Sequence, residues 1–462
     1  MRNQQQFDRF AEKYPHSHEF FFARPYRTRR SFFRLLGAGL TAATLAENPA
    51  FGQVIKSQGV PTLNKARNVV FILLTGAPSH TDTFDFKPSP DSPMDLLKPD
   101  KIGQITWPTG LMGKLANNLG DMVIVRSVRS WALQHNLAQT WTQIGRSPAA
   151  ALGDIAPNIG SIVAAELLAQ RTASQVFPTF LALNSDAAVG SGYMPTTYAP
   201  LRVLPDTRGL PDTTNPDGAA RFDQKWNLMQ TLDGGLRANN VYGKDMMDYG
   251  NFYTEGRGLM YNPTVDNGFR FTTDESQRYG NTGFGNACLL TSKVLAARAG
   301  TRYVMISLGS WDHHNNIYAA NSLPAMTRTL DNGLSQMIND MKASGVFQET
   351  LIVVQGEFGR TVGRLTSQAG RDHYLQQFAV FAGAGVKGGR AIGATDATGG
   401  ATSESGWSRQ RDIRPEDIEA TIYSALGIDY TSVRYDDPFG RGFYYVPESN
   451  QDVYGPINEL WG

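Results

Sequence analysis

The stretch Asn68-Val-Val-Phe-Ile-Leu-Leu74, followed at once by the polar run Thr75-Gly-Ala-Pro-Ser-His80, decides the fold of this chain. A continuous apolar run of this length is typical of a strand that is buried on both faces of a parallel sheet. Five further short apolar runs have the same character, and we predict a strand at each: residues 122–125, 180–183, 303–306, 351–354 and 378–381.

Helices are predicted between several of these strands. Residues 159–168 are apolar and rich in alanine, residues 288–299 end before Gly300, and Pro415-Glu-Asp417 is typical of a first helical turn. This alternation predicts an α/β fold in which helices pack on both faces of a mostly parallel sheet. Ligands of such sheets bind beyond the carboxyl ends of the strands, so polar residues that directly follow a strand are functional candidates.

The N-terminal region is interpreted as a twin-arginine export signal, residues 1–52. Thr28-Arg-Arg-Ser-Phe-Phe-Arg34 contains the paired arginines. The apolar stretch after it, residues 35–46, is too short to cross a bilayer, which takes roughly 20 residues. We place cleavage near Gly52 and expect the twin-arginine translocase to deliver residues 53–462 to the periplasm or the cell exterior. No later stretch is apolar for long enough to span a membrane.

The charge balance excludes functions that need a strongly charged surface. Lys and Arg total 43 and Asp and Glu total 42, a net charge of +1, so there is no electrostatic case for nucleic acid or an anionic membrane. The single cysteine, Cys288, excludes an internal disulfide.

Residues 185–280 differ in composition from the rest of the chain. They are rich in Gly, Asn, Asp, Thr, Pro and Tyr, and only one amphipathic helix is suggested, by Phe222, Trp226 and Met229. Long segments with little regular structure are usually insertions over a site or a partner surface. We therefore interpret residues 185–280 as a loop-rich cap on the α/β domain.

Polar clusters that contain histidine follow several predicted strands. Imidazole and carboxylate groups from different segments would meet at the carboxyl edge of the sheet and bind a divalent metal ion. A mixed oxygen and nitrogen set suits zinc, manganese or iron better than calcium. Asp312 and His314 are two residues apart and would face one ion, which leaves His313 toward solvent. The predicted metal ligands are Asp82, Asp312, His314, Glu357 and His373, with His80 beside them at the rim.

Taken in order, these clusters resemble an uncharacterised bacterial family of unknown function that is related to the sulfatase and alkaline phosphatase superfamily. The resemblance spans residues 66–430 and implies an alkaline phosphatase-like three-layer α/β/α sandwich with a mostly parallel sheet. The matching stretches are Leu74-Thr-Gly-Ala-Pro-Ser-His-Thr-Asp-Thr-Phe-Asp85, Arg278-Tyr-Gly280, Trp311-Asp312 with His314, Gly356-Glu-Phe-Gly-Arg-Thr361, Arg371-Asp-His373, Gly385-Val-Lys-Gly-Gly389 and Ile392-Gly-Ala-Thr-Asp396.

The resemblance also implies roles for individual residues. The superfamily pattern is two metal ions that activate a nucleophile for attack on a phosphate or sulfate ester, but Phe358 stands where a histidine ligand is common. Ser127, just past the second predicted strand, is the best serine nucleophile, although a capping serine would look the same. His135 is the second catalytic candidate, and Arg360 would bind the substrate anion.

Two functions remain open from the sequence. The leading hypothesis is an exported metal-dependent hydrolase of a phosphate or sulfate ester, with a small molecule or a glycan as substrate. The alternative is a non-catalytic exported protein that keeps the fold and binds a partner or glycan through residues 185–280. The Asp, Glu and His clusters favour the enzyme, whereas Phe358 and the unassigned nucleophile favour the alternative.

Overall fold

The computed structural model describes residues 55–185, 187–238 and 244–462, so the predicted export signal lies outside the described residues. Residues 57–433 and 443–462 form one compact unit, and residues 55–56 and 434–442 belong to a second. The larger unit contains the central sheet and every site considered below. No helix in the described part of the chain combines the length and the apolar character that crossing a membrane requires.

The central sheet of the larger unit has eight strands, and its spatial order is β8-β2-β7-β6-β1-β5-β3-β4. Seven strands run in one direction, and only β7 is antiparallel to its two neighbours. The strands are β1 (Asn68–Leu74), β2 (Met122–Arg129), β3 (Phe180–Leu183), β4 (Leu201–Val203), β5 (Tyr303–Leu308), β6 (Thr350–Gly356), β7 (Gln376–Ala382) and β8 (Arg390–Ile392). The predicted mostly parallel sheet is confirmed.

Helices cover both faces of this sheet. The α-helices of the described residues are α1 (Met94–Leu97), α2 (His135–Ile144), α3 (Ile159–Leu167), α4 (Gly218–Ala238), α5 (Lys244–Leu259), α6 (Pro263–Phe269), α7 (Thr273–Arg278), α8 (Gly283–Ala296), α9 (Leu323–Ala343) and α10 (Pro415–Ala425). Short strands lie at Ile55–Lys56, Pro99–Ile102, Ile105–Pro108, Gly359–Arg360, His373–Tyr374, Ala394–Thr395, Thr402–Glu404, Val433–Arg434 and Phe443–Tyr444.

Strand β1 lies at the centre of the core because all seven of its residues are buried. Side chains alternate between the faces of a strand, so Val70, Ile72 and Leu74 join one apolar cluster, with α8 and α9, and the intervening residues 69, 71 and 73 join the other, with α3 and α10. Two apolar cores, one on each side of a single sheet, make the fold a three-layer α/β/α sandwich, as predicted.

The structure differs from the sequence prediction in three places. Strand β2 continues through Arg129, so Ser127 lies inside the strand and not after it. Helix α9 was not predicted, although its buried Leu330, Leu334 and Met337 recur at helical spacing. Residues 185–280 were predicted to be rich in loops with one helix through Phe222, Trp226 and Met229; that helix is α4, and the segment also contains α5, α6 and α7, of which α7 begins with a capping box at Thr272 and Glu275.

Candidate metal centre

The candidate site lies at the carboxyl edge of the parallel strands. His135 begins helix α2 after β2, Asp312 and His314 follow β5, and Glu357 follows β6 directly. His373 precedes β7, and because β7 runs antiparallel to its neighbours, its first residue lies at the same edge. The long connection between β6 and β7, which contains His373, therefore ends beside the polar loops that follow β2, β5 and β6.

Close backbone approach brings these loops together. Gly76, with φ of +103°, adopts a conformation that favours glycine, and a Cβ there would lie 2.7 Å from the amide nitrogen of Asp312. A Cβ on Gly370 would lie 2.0 Å from the carbonyl carbon of His314. Larger residues at either position would push the loops apart, so both glycines are structural requirements of the site.

Four side chains converge here: His135, Asp312, His314 and His373 each offer one atom, and these atoms all lie within 4.8 Å of one another. Asp312 Oδ1 is 2.9 Å from His314 Nε2, 3.4 Å from His135 Nε2 and 3.8 Å from His373 Nε2. The Nε2 atoms of His314 and His373 are 3.1 Å apart. Such a group has the size and the ligand types of a single transition-metal site.

Each of the three imidazoles is oriented by an acceptor at its other nitrogen. Nδ1 of His135 lies 2.7 Å from Glu357 Oε1, Nδ1 of His314 lies 2.9 Å from Asp372 Oδ1, and Nδ1 of His373 lies 2.6 Å from the carbonyl oxygen of Leu133. Carboxylates and carbonyls accept hydrogen bonds, so we assign the proton to Nδ1 in all three rings. Their Nε2 lone pairs then point into the cluster, the arrangement that outer partners impose on metal-binding histidines.

In this assignment the Nε2 lone pairs of His135 and His373 have no N–H donor among the described residues, whereas that of His314 accepts a hydrogen bond of 3.3 Å from Nη1 of Arg360. His135 Nε2 is buried without a hydrogen-bond partner among the described residues. The Nε2 atoms of His314 and His373 face each other at hydrogen-bond distance, although both carry lone pairs in this assignment. A cation at the centre would satisfy the nitrogens of His135 and His373 and would share His314 Nε2 and Asp312 Oδ1 with the guanidinium of Arg360, so the residues present fit a bound metal ion.

Glu357, which was predicted as a metal ligand, lies outside the four-atom group and contacts one of its members, His135. Its buried carboxylate accepts hydrogen bonds from the amides of Gly76 and Ala77 at 2.9 and 3.2 Å and from Gln139 Nε2 at 3.0 Å, besides its contact with His135. Burial lowers the pKa of His135, but the hydrogen bond and charge of Glu357 outweigh burial and leave that pKa raised. Glu357 therefore orients His135 and increases its basicity.

Phe358 forms an apolar wall of the centre. Its ring is fully buried, with its centroid 4.8 Å from that of His135 and 4.7 Å from that of His373. An aromatic ring contributes no ligand, so the side chain holds two imidazoles in place by packing.

Arg360 has no hydrogen-bond donor left for a substrate. It is buried, and its five N–H groups point to the carbonyls of Gly76, Ala77 and Arg371, to Asp312 Oδ1 at 2.5 Å and to His314 Nε2 at 3.3 Å. Burial raises the pKa of Asp312, but the hydrogen bond from Arg360 outweighs this and leaves it lowered. Arg360 therefore donates hydrogen bonds to two of the four converging side chains, Asp312 and His314.

His80 and Asp82 lie in the buried 3-10 turn His80–Asp82, outside the four-atom group. His80 Nε2 lies 2.9 Å from the carbonyl oxygen of Gly399. Asp82 accepts a 2.6 Å ion pair from Arg371 and a 2.7 Å hydrogen bond from the Tyr318 hydroxyl. Arg371 is two residues from His373, so Asp82 holds the loop that contains His373. The Asp82 carboxylate itself lies outside the group of converging atoms.

Ser127 and His313 do not lie where the sequence predicted them. The Ser127 hydroxyl is buried and donates to the carbonyl oxygen of Ser405 at 2.7 Å, because strand β2 directs it away from the loops. His313, expected to face solvent, has only 9% of its surface exposed, and burial lowers its pKa to about 4.

Sequence reasoning missed three contributors: Asp372, the Leu133 carbonyl and Gln139. Gln139 follows His135 by four residues, so the helical pattern was the available signal. Asp372 lay in a quoted motif. The carbonyl of Leu133 leaves no trace in a side-chain pattern.

The fold and the centre define an α/β sandwich protein with a candidate mononuclear metal site at the carboxyl edge of its sheet. The chain belongs to the family described as "Protein of unknown function (DUF1501)", whose model matches residues 66–450. This confirms the predicted family. No curated protein is similar enough in sequence to count as a relative.

Solved structures similar to this chain include members of the alkaline phosphatase superfamily. A mutant of the alkaline phosphatase PafA is 12% identical, with 88% of this chain and 100% of that chain covered and a TM-score of 0.43. The PsFucS1 sulfatase from Pseudoalteromonas sp. is 12% identical over 86% and 72% of the two chains, with a TM-score of 0.37. A superfamily protein from Vibrio parahaemolyticus is 10% identical over 81% and 70%, with a TM-score of 0.38.

Proposed function

We propose that this chain is a metal-dependent hydrolase of phosphate or sulfate esters that uses one divalent transition-metal ion. The ligands in this proposal are His135, Asp312, His314 and His373. The observation that supports it is the convergence of one nitrogen from each of the three imidazoles and one carboxylate oxygen, all within 4.8 Å of one another. Three imidazoles with a single carboxylate favour zinc, manganese or iron over magnesium or calcium.

A bound ion of this type supplies a water of lowered pKa and polarises an ester oxygen. The surrounding residues prepare the site for that chemistry. Glu357 keeps His135 in the Nδ1–H tautomer, and Asp372 does the same for His314. Asp312 has 45% of its side chain exposed whereas Phe358 is fully buried, so a substrate would approach from the Asp312 side.

The second candidate is an exported binding protein that keeps the metal without catalysis. It is favoured by the hydrogen bonds of Arg360 and Ser127. All five donors of Arg360 are used within the protein, and Ser127 donates to Ser405. Neither residue is then free to bind an oxyanion or to attack it. In the hydrolase proposal water is the nucleophile, so the two candidates differ in turnover and share the metal.

The test is metal analysis of the purified full chain together with assays on aryl phosphate and aryl sulfate esters. We expect about one ion per chain and turnover of at least one ester, and the loss of both in His314→Ala because a ligand is removed. His313→Gln is the matched control, since it changes the neighbouring histidine, which is not in the group of four.

Bound metal without hydrolysis of any ester would support the second candidate, the non-catalytic binding protein. Full metal content in His314→Ala would contradict the proposed centre itself.

Export belongs to the same proposal. We propose that the twin-arginine translocase carries the chain with its ion to the periplasm or the cell exterior, and that residues 185–280 cap the site against a small-molecule or glycan ester. Support comes from the paired arginines at positions 29 and 30 and from the length of the segment. Cell fractionation of wild type and an Arg29→Lys/Arg30→Lys variant tests the export, since the variant should remain in the cytoplasmic fraction.

A further inference from the structure

We infer that a basic cleft at the opposite edge of the sheet binds an oxyanion group of the phosphate or sulfate type. The cleft has a volume of about 540 Å³. Its charged lining residues are Lys65, Arg67, Arg298, Arg302 and Glu349. Nothing in the proposed hydrolytic function uses this cleft, and the inference does not depend on the metal centre.

The cleft lies at the amino ends of three neighbouring strands. Arg67 directly precedes β1, Arg302 directly precedes β5, and Glu349 directly precedes β6, and these strands are adjacent in the order β6-β1-β5. The metal centre follows the carboxyl ends of the same strands. The seven residues of β1 separate the two edges by roughly 23 Å, at about 3.3 Å per residue. The two sites are therefore physically distinct.

Charge in the cleft is unbalanced. Both oxygens of Glu349 are engaged by Arg298, at 2.7 and 3.0 Å, so the only carboxylate of the lining is already paired. Lys65, Arg67 and Arg302 have no carboxylate partner among the described residues. The whole chain has a net charge of only +1, so three unpaired cations in one concavity are not explained by composition.

Arg302 is held in place and still has donors free. Its Nε donates to the carbonyl oxygen of Arg67 at 2.7 Å, which fixes the guanidinium plane beside a second arginine. Its two terminal nitrogens have no hydrogen-bond partner among the described residues. Burial lowers the pKa of Arg302, and the charge of Arg67 lowers it further, so this pair of cations is unfavourable without an anion. A bound anion would offset both effects.

The donor types indicate the chemical class of ligand. Guanidinium groups present planar pairs of N–H groups that match the oxygens of phosphate and sulfate, and two of them with a lysine favour a multiply charged group. The neutral amide of Gln348 lines the same cleft and could donate beside them. The volume exceeds that of a single small anion, so the oxyanion group would be free or carried on a larger organic molecule.

Isothermal titration of the full chain with inorganic phosphate, inorganic sulfate and a sugar phosphate tests the inference. We expect saturable binding of at least one of these probes, and binding weaker by about tenfold or more in Arg302→Gln, because a charged pair of donors is lost. Tighter binding of the sugar phosphate would assign the group to an organic ligand, and equal binding would assign it to the free ion.

Two controls separate the cleft from the metal centre and from general charge effects. Arg328→Ala removes an exposed arginine of helix α9 outside the cleft and should leave binding unchanged. The titrations use His314→Ala as the parent protein, because the proposed metal centre would itself bind phosphate or sulfate, so that the binding measured is that of the cleft. If Arg302→Gln unfolds the chain, the exposed Lys65→Ala replaces it and should weaken binding as well. No saturable binding in His314→Ala, or undiminished affinity when a cleft substitution is added to it, would overturn the inference.

Discussion

The two edges of the central sheet handle charge in opposite ways. At the carboxyl edge every charged group close to the metal centre has a partner, as Arg360 with its five engaged donors and the buried pair Asp82–Arg371 show. At the amino edge the pair Arg298–Glu349 is partly exposed, and three cations nearby have no carboxylate partner within the described part of the chain. Buried charges must be paired to be tolerated, whereas a concave surface can keep charges available for a ligand. The comparison predicts large effects at the first edge and small ones at the second.

The largest effect is expected from Asp82→Asn. The substitution leaves Arg371 as an unpaired, fully buried cation, and breaking such a pair costs about 3–5 kcal/mol. Chemical denaturation should therefore show a large fall in the free energy of unfolding. Because Arg371 is in the loop of His373, metal affinity should fall as well. A change below about 1 kcal/mol would mean that the pair is not buried as described.

Glu357→Gln is expected to weaken metal binding with less effect on stability. The neutral amide keeps the size of the side chain but no longer orients His135 as a carboxylate does, and removal of such outer partners costs about 10–100-fold in metal affinity. Competition with a chelator of known affinity measures the change. Glu404→Gln, an exposed position, is the control. Equal metal affinities in Glu357→Gln and Glu404→Gln would show that Glu357 does not contribute to metal binding.

Glu416 makes the carboxyl edge sensitive to pH. Burial raises the pKa of Glu416 from 4.5 to about 7, and the indole N–H groups of Trp131 and Trp141, at 3.0 and 2.9 Å, offset only part of this. The folded state then binds more protons than the unfolded state, so this contribution is fully present below pH 4.5 and is lost as the pH rises through about 7.

We expect Glu416 to lower the free energy of unfolding by about 3 kcal/mol over that window in wild type, since each pKa unit of the shift corresponds to about 1.4 kcal/mol. Glu416→Gln should remove this decrease, which urea denaturation at a series of pH values would measure. Parallel pH profiles for the two proteins would show that Glu416 is ionised in the folded state.

The smallest effect is expected at the amino edge. Arg298→Ala breaks a pair whose side chains are 47% and 34% exposed, and exposed pairs contribute about 0–1 kcal/mol. Thermal unfolding should therefore change little, which sharpens the contrast with Asp82→Asn. Without Arg298 the carboxylate of Glu349 is no longer paired, and the cleft has one cation fewer. The affinity for anions should therefore fall while stability is kept. A stability loss as large as that of Asp82→Asn would contradict the contrast between the edges.

Much of the fold could be predicted because it depends on local pattern. The seven residues of β1 and the bounds of β3 were predicted as they are found, since continuous apolar runs have few other uses in an α/β chain. Helix α4 was predicted from Phe222, Trp226 and Met229, whereas helix α5 was missed because it lacks a strong apolar stripe. The antiparallel direction of β7 has no sequence signal of its own, and it is this direction that brings His373 to the others.

The candidate site was predicted at the level of residue types and only partly at the level of roles. Asp312, His314 and His373 were predicted as ligands, and the structure brings them together with His135, which had been assigned to catalysis. Glu357, Asp82 and His80 have the same types of side chain and also follow strands of the central sheet. Their distance from the ligand atoms depends on where each loop turns, so spacing along the chain could not separate them.

The amino-acid sequence alone was enough to predict the class of fold, the family and the edge of the sheet at which polar residues would gather, because hydrophobic periodicity, the alternation of strands with helices and short motifs can be recognised along the chain. Only the tertiary structure decided which nitrogen of each histidine faces the centre, that Arg360 has no free donor, and that three cations meet unpaired at the far edge. These properties depend on contacts between residues that are tens to hundreds of positions apart. The physical reason is that hydrogen bonds and ion pairs act over a few ångströms, a distance that the order of residues does not encode.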